Sequence, residues 1–389
     1  MPSPSPTNAS PYSLGYHMPA EWEPHEATWL AWPHELTDWP GKFAPIPLVY
    51  AEIVRHLSRV ERVRILVEDA RAESRARAAL RKSGTNFSTV DFSRIPTNRG
   101  WVRDYGPIFI KNAAAQVAAT HWVFNGWAKY DNFTRDAAAF ARVNRKLRQP
   151  VWSPSLDGRR IVLEGGSIEV NGHGTLMTTE ECLLSPIQAR NPNLSRADLE
   201  VAFRDYLGAT KVIWLKNGIA GDDTHGHVDD LARFVDAATV IIVVEDNKAD
   251  PNYAPLKENL RLLREARDEN GRPLRVVKIP MPAPVIFDGQ RLPASYANFY
   301  IANELVLVPM FSDPRDREVL NILADLFPGR EVIGIPCRDL VLGLGTLHCM
   351  TQQEPARGLS CHCQFYPCAG GGLRLLAKGF ASVFSQAKN

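Results

Sequence analysis

The segment Asp222-Asp223-Thr224-His225-Gly226-His227-Val228-Asp229-Asp230 places four carboxylates and two imidazoles within nine positions. Clustered carboxylates repel one another and are costly to desolvate, so the string is a poor way to build a core. It suits a reaction centre or a metal site. If the segment is extended, alternate side chains share a face, and His225, His227 and Asp229 are expected to project into one pocket. There His227 would act as general acid/base and Asp229 would face a cationic substrate. The same H-x-H-x-D-D string is one residue away from the H-x-H-x-D-H of binuclear zinc hydrolases, whose ions need further ligands downstream. Downstream there are only His348 and His362, so no metal is expected.

Three other patches carry chemistry. Cys349 closes Leu342-Gly343-Leu344-Gly345-Thr346-Leu347-His348-Cys349, where glycines permit a tight turn and close backbone approach to a ligand. His348 beside it is expected to help hold the sulfur as thiolate; burial as an apolar packing residue is the alternative for the thiol. In Trp101-Val102-Arg103-Asp104-Tyr105-Gly106-Pro107, an aromatic beside an acid suits a cation by ring face and charge together. In Leu163-Glu164-Gly165-Gly166-Ser167, a carboxylate ends an apolar strand next to glycines that give it no cover. A thiol, an imidazole and three acids suit attack on a planar cation, because carboxylates grip a guanidinium through paired, charge-assisted hydrogen bonds. Cys182 and Cys337 read as packing.

Positioning these residues requires a sizeable core, and 389 residues at 45% hydrophobic and 23% charged content supply one. A formal charge of +2 with no Lys/Arg block excludes nucleic acid as an expected partner. The longest apolar run, Thr239 to Val244, is too short to span a bilayer. The Pro/Ser-rich opening lacks the basic and apolar regions of a secretory signal, and the six cysteines make no disulfide framework. A cytoplasmic protein acting on a small molecule, as a monomer or a homo-oligomer, is expected.

Helices are expected over Pro47 to Glu61, Arg71 to Lys82, Arg135 to Leu147, Ser195 to Leu207, Pro255 to Asp268 and Pro314 to Leu326. Ser195 and Asp313, the latter before Pro314, are expected caps. Strands are expected at Val63 to Val67, Asn86 to Phe92, Pro107 to Ile110, Gln116 to Val123, Ile161 to Leu163, Thr175 to Thr178, Lys211 to Leu215 and Thr239 to Val244. This mixture points to an α/β or α+β architecture. Residues 1–14 read as a disordered lead, 15–356 as one catalytic domain, and 357–389 as an appended, weakly ordered tail. Cys361, His362, Cys363 and Cys368 in that tail match no four-ligand zinc spacing.

The chain resembles the agmatine deiminase family of the guanidine-modifying (pentein) superfamily. The resemblance is carried by GYHMPAEWEPHEATWLAWP, TNRGWVRDYGPIF, LEGGSIEVNGHGTLMTTEECLL, GDDTHGHVDDLARF, ASYANFYIAN and GTLHCMTQQEP, in that order from about Gly15 to Pro355. It implies a pentein fold, an α/β five-bladed ββαβ propeller with pseudo-fivefold symmetry, and hydrolysis of agmatine to N-carbamoylputrescine and ammonia in putrescine and polyamine metabolism. It further implies Cys349 as nucleophile, His227 as acid/base, Glu164 as the acid supporting that histidine, and Asp104 and Asp229 as the acids holding the guanidinium. Trp101 is expected at the substrate wall, with Glu21, Trp22, Trp29 and Trp32 as further candidates for it; aromatic core is the alternative for most of them. No cofactor is expected, because the substrate brings its own positive charge. Arginine or peptidyl-arginine on the same fold is the alternative substrate, and a zinc hydrolase the more distant alternative. The chain departs from the family where Leu344 interrupts a run usually richer in glycine.

Overall fold

In the computed structural model, residues 9–358 are described. The expected tail cysteines and nearly all of 357–389 lie outside them. Of the residues expected to form a disordered lead, 9–14 are described. Tyr12–Leu14 make a single 3₁₀ turn closed by Gly15, and the Ala9 carbonyl accepts a bond from Trp152 Nε1 at 3.1 Å.

The described residues form a mixed α/β structure in which one motif recurs. An antiparallel strand pair is followed by a helix and by a third strand parallel to the middle one. Ile108–Lys111 and Val117–Thr120 pair this way, then the helix Thr134–Leu147 returns to Val151–Trp152. Glu169–Val170 and Thr175–Thr179 are followed by the helices Glu180–Leu184 and Arg196–Leu207 and by Lys211–Leu215. Ala232–Phe234, Thr239–Val244, the helix Tyr253–Glu265 and Arg275–Pro280 repeat the pattern. So do Tyr300–Ala302, Leu305–Met310, the helix Asp316–Leu326 and Glu331–Pro336. The fifth unit joins both ends of the domain. Thr351–Pro355 runs antiparallel to His25–Ala31, which continues through the helix Ile46–Leu57 to Arg62–Val67. The helix Ala70–Ser83 and strand Val90–Arg94 extend this sheet by one strand.

The middle strands are apolar on both faces because the chain covers both; Thr239–Val244 is buried at its first five positions. Helices cover one side of the repeats' sheets with an apolar stripe, as Leu256 and Leu263 do from Tyr253–Glu265. No helix among the described residues is long and apolar enough to cross a membrane.

Most expected elements occur within one to three residues of their expected bounds, and Ser195 caps its helix in a capping box with Asp198. Three expectations fail, and the helix expected over Pro47 to Glu61 ends at Leu57. Of Asn86 to Phe92, Phe87–Thr89 make a 3₁₀ turn and the strand is Val90–Arg94. Ile161 to Leu163 makes one bridge, Val162 to Val123, instead of a strand. Asp313 does not cap at Pro314: its Oδ1 accepts from Arg315 N, and the helix begins at Asp316.

Candidate active site

The first strand of each repeat is preceded by a short buried turn, and the candidate site residues occupy those turns. Asp104 lies in the helical turn Val102–Tyr105 ahead of Ile108–Lys111, not at the start of the strand itself. Glu164 leads the 3₁₀ turn Gly165–Ser167 ahead of Glu169–Val170. His227 caps, and Asp229 occupies, the 3₁₀ turn Val228–Asp230 ahead of Ala232–Phe234. Asn298 precedes Tyr300–Ala302, and Cys349 precedes Thr351–Pro355. Repetition of one fold unit thus gathers residues that are up to 245 positions apart.

Their convergence is visible at Gly166. A Cβ placed there would lie 2.6 Å from His227 Nδ1, 2.9 Å from Asp104 Oδ1 and 3.0 Å from Asp229 Oδ2. Three turns meet around one point, and only glycine leaves it open. Asp104 is oriented by Trp127 Nε1, which donates to Oδ2 at 2.8 Å, and by Gly166 N, which donates to Oδ1 at 3.0 Å. Asp229 shares Oδ2 with His348 Nδ1 at 2.7 Å, while its buried Oδ1 has no hydrogen-bond partner. Glu164 Oε2 lies 3.6 Å from His227 Nε2, and Glu164 Oε1 accepts from Arg190 Nε at 3.1 Å. The Cys349 sulfur lies 3.6 Å from Asp229 Oδ2 and 3.0 Å from Asn298 Nδ2.

Burial and charge give each group a distinct protonation tendency. Asp104 is pushed up to about 6, first by burial and then by Asp229 and Glu164, against the opposing pull of His227 and Trp127. Burial would raise Glu164 as well, but Arg190 and His227 outweigh it and hold the carboxyl down at about 2. Burial disfavours charge on His227, yet Asp104, Glu164 and the Cys182 sulfur prevail and raise its pKa well above the usual histidine value. Burial, then Asp229, Asp230 and Asp104, push the Cys349 thiol well up. These tendencies favour an imidazolium at His227 and a neutral thiol at Cys349 beside a cluster of acids, an environment that suits a planar cation.

A cavity of about 400 Å³ opens onto Cys349 and is lined by Asp104, Trp101 and Trp127 among others. Trp101 is therefore at the wall, as expected. Trp22, Trp29, Trp32 and Glu21 are not. Trp29 donates to Glu354, Trp32 packs on Tyr50, and Trp22 packs against the core. Glu21 instead anchors a buried ion network behind Asp229, bonded to Arg233 at 2.9 Å, Arg103 at 3.2 Å and His348 Nε2 at 2.8 Å. Arg103, beside Asp104, is likewise buried.

The turn before Cys349 needs its small residues. A Cβ on Gly345 would lie 3.0 Å from Cys349 Cβ and 3.1 Å from Trp101 Cζ3. Leu344, between two glycines, keeps a left-handed backbone at φ 68° and adds its side chain to the cavity wall. The turn thus retains glycine-like geometry at the cost of left-handed strain in a non-glycine residue.

Two expectations are corrected. His225 does not share a face with His227, because the segment is not extended: φ is 66° at His225 and 91° at Gly226. That reversal carries the His225 ring to Ser185 Oγ at 3.2 Å, in a separate cavity lined by Glu180, Glu181 and Lys216. His348 does not bond the sulfur; both its nitrogens are engaged by Asp229 and Glu21. Cys182 packs in the core as expected, and its sulfur, a Glu164 oxygen and a His227 nitrogen also lie within 4.8 Å of one another. Asn298 was not expected at all. Its only sequence signal is its place in ASYANFY, in the turn equivalent to those of Asp104, Glu164, His227 and Cys349.

Two groups among the described residues have ligand atoms close enough to hold a metal ion, Glu164–Cys182–His227 and Asp229–Asp230–Cys349. Neither reproduces the alternative zinc reading, which required His225 beside His227. In the first, Glu164 is already engaged by the Arg190 guanidinium. In the second, burial and then Asp229 and Asp222 push Asp230 well up towards its neutral form, and its Oδ1 accepts from Asn298 Nδ2 at 3.0 Å. The arrangement instead suits a thiol, an acid/base and a pair of acids acting on a cation.

Residues 17–355 match the Porphyromonas-type peptidyl-arginine deiminase family. An agmatine deiminase of Pseudomonas aeruginosa (strain LESB58) is 38% identical over 371 residues, covering 90% of this chain and 98% of that protein. The agmatine deiminase of Enterococcus faecalis superposes with a TM-score of 0.84 at 30% identity, over 91% of this chain and 99% of that one. A cysteine-to-serine variant of C. jejuni agmatine deiminase, solved with substrate bound, gives a TM-score of 0.77 at 28% identity, over 88% of this chain and 97% of that one. With most of its length matched to the family and relatives covered nearly end to end, the chain belongs to the Porphyromonas-type peptidyl-arginine deiminase family.

Proposed function

We propose that this protein is an agmatine deiminase, a carbon–nitrogen hydrolase that converts agmatine and water to N-carbamoylputrescine and ammonia. The observation that carries the reading is the Cys349 sulfur 3.6 Å from Asp229 Oδ2, at the floor of a cavity that Asp104 also lines. We further propose that residues 15–356 act as one catalytic domain and that the five strand–helix–strand repeats ring the site as blades of a pentein propeller. The position of the reactive side chains in five equivalent turns supports this arrangement.

Asp104 and Asp229 hold the guanidinium in plane and expose its central carbon. The substrate's charge offsets the acids around Cys349, so the thiol yields its proton to solvent and becomes the nucleophile. Sulfur attacks the carbon to give a tetrahedral adduct. The His227 imidazolium protonates one NH₂ group, which leaves as ammonia, and an S-amidino cysteine remains. Water then attacks the same carbon as His227 takes its proton. Collapse expels the thiolate and releases the ureido product with a proton. Covalent catalysis divides one difficult substitution into two easier steps. Glu164, fixed by Arg190, keeps His227 charged for the first step and receives none of the substrate's contacts.

Agmatine is favoured over arginine by the cavity's charge. Arg99 is the only cation among the described lining residues, and it is engaged by Asp38. A substrate carboxylate would find no free positive partner there. The test is to incubate the protein with agmatine, arginine and an arginyl peptide, with and without a chelator, and to measure ammonia and ureido product. Turnover of agmatine that the chelator does not affect is expected; chelator-sensitive hydrolysis would overturn the reading.

The raised Asp104 value predicts an acid limb in the rate profile. Below about 6 the free enzyme protonates Asp104 and loses half of the charge that grips the guanidinium, so kcat/KM for agmatine falls as pH drops. Bound guanidinium favours the carboxylate, so the acid limb of kcat lies at lower pH than that of kcat/KM. Because the folded value exceeds the ordinary 3.8, the ionised group costs folding stability above about 6 and costs none below 3.8. Initial rates across the acidic range, with saturating and limiting agmatine, check the offset between the two limbs.

A further inference from the structure

The outer wall of the cavity contains a hairpin that the proposed chemistry does not use. Ile286–Phe287 pairs antiparallel with Gln290–Arg291 through Asp288 and Gly289, whose φ values of 49° and 77° make a tight Asp-Gly turn. The hairpin is anchored at its base. Arg291 Nη1 bonds both carboxylate oxygens of Asp250 at 2.8 Å, and Leu292 N donates to Val285 O at 2.9 Å. The Arg291 carbonyl lies against Gly221, where an added Cβ would come within 2.6 Å of it. Gly221 directly precedes the segment carrying His227 and Asp229, so the hairpin tip is held in register with the reaction centre.

The cavity's other outer carboxylates are already engaged. Asp38 is bonded by Arg99 and by Trp101 Nε1 at 3.1 Å. Asp223 is bonded by Lys129 at 2.9 Å and by the Tyr130 hydroxyl. Asp288 lines the same cavity, is exposed, and has no hydrogen-bond or ionic partner among the described residues. Half-buried Phe287 beside it also lines the cavity and offers a ring to an alkyl chain or a cation.

From this arrangement we infer that Asp288 is a specificity-determining residue that receives the substrate's distal ammonium while its guanidinium rests on Asp104 and Asp229. The inference rests on the deiminase reading above. It assigns discrimination between a diamine-like substrate and one ending in a methyl or carboxylate group to a hairpin outside the reactive turns. Because Asp288 is solvent-exposed, its contribution is modest and sensitive to salt.

The test compares agmatine with butylguanidine, which has the same guanidinium and chain but no amine. In Asp288→Asn, kcat/KM for agmatine should fall by about two- to fivefold, as for an exposed ion pair, with kcat unchanged and butylguanidine unaffected. Asp288→Lys should reduce agmatine use further and narrow the preference for agmatine over arginine. The wild-type preference for agmatine over butylguanidine should shrink as salt rises. If Asp288→Asn leaves the agmatine-to-butylguanidine ratio unchanged, the role of Asp288 is overturned while the deiminase reading stands. If the wild-type protein releases ammonia from neither guanidine, both are overturned.

Discussion

Cys349→Ser is expected to lose at least ~10²–10⁴-fold in turnover of agmatine, with the fold retained. The thiol is buried among Asp104, Asp229 and Asp230, all of which disfavour an anion at that position. A bound guanidinium offsets that penalty enough for a thiol, whose unperturbed pKa is near 8.5, but not for a hydroxyl, which is far less acidic. The serine oxygen is smaller than sulfur and can still face Asn298 Nδ2, so packing changes little. Binding should therefore survive the loss of chemistry, and agmatine should still raise the variant's melting temperature. Ammonia release and intact mass provide the readouts. The wild-type protein quenched during turnover should carry an amidino adduct on Cys349, and the variant should carry none. Near-normal turnover by the serine variant would remove the covalent mechanism.

His227→Ala should lose turnover by a comparable ~10²–10⁴-fold, because in the proposed mechanism one imidazole serves as acid in the first step and as base in the second. The structure prepares it for the acid role, since Asp104 and Glu164 keep the ring protonated despite burial. Alanine leaves a cavity and removes a counter-charge from two buried acids, so some stability is lost as well. His227→Gln, closer in volume, separates the two effects: it should fold and bind agmatine but release no stoichiometric burst of ammonia. A full burst followed by slow turnover would show that His227 is needed only for hydrolysis of the adduct.

These two residues illustrate how much of the site is legible in the chain. Cys349, His227, Glu164, Asp104, Asp229 and Trp101 each stand in a short motif whose residue types narrow the chemistry, and the order of the motifs carries the family resemblance. Helices such as Thr134–Leu147 are equally readable, because their apolar stripe recurs every three or four positions and forms locally. The strands Lys211–Leu215 and Thr239–Val244 occur at their expected bounds, because each carries a run of consecutive apolar residues, Val212 to Leu215 and Val240 to Val244. The first strands of the repeats are harder to read. Glu169–Val170 and Tyr300–Ala302 have two and three residues, too few to show a period.

By itself, the sequence determined the inventory of the proposed reaction: a thiol, an imidazole and paired acids, with helices and strands to support them. Tertiary structure decided who faces whom, since those contacts join turns far apart in the chain. His348 reaches back to Glu21, Asn298 reaches forward to the Cys349 sulfur, and Cys182 lies against His227, none of which follows from local spacing. His225 was misplaced for the converse reason. Two consecutive left-handed residues reverse the chain locally, and alternation along a strand does not survive such a reversal. The exposed carboxylate of Asp288 gains its significance only because a distant hairpin folds over the mouth of the same cavity.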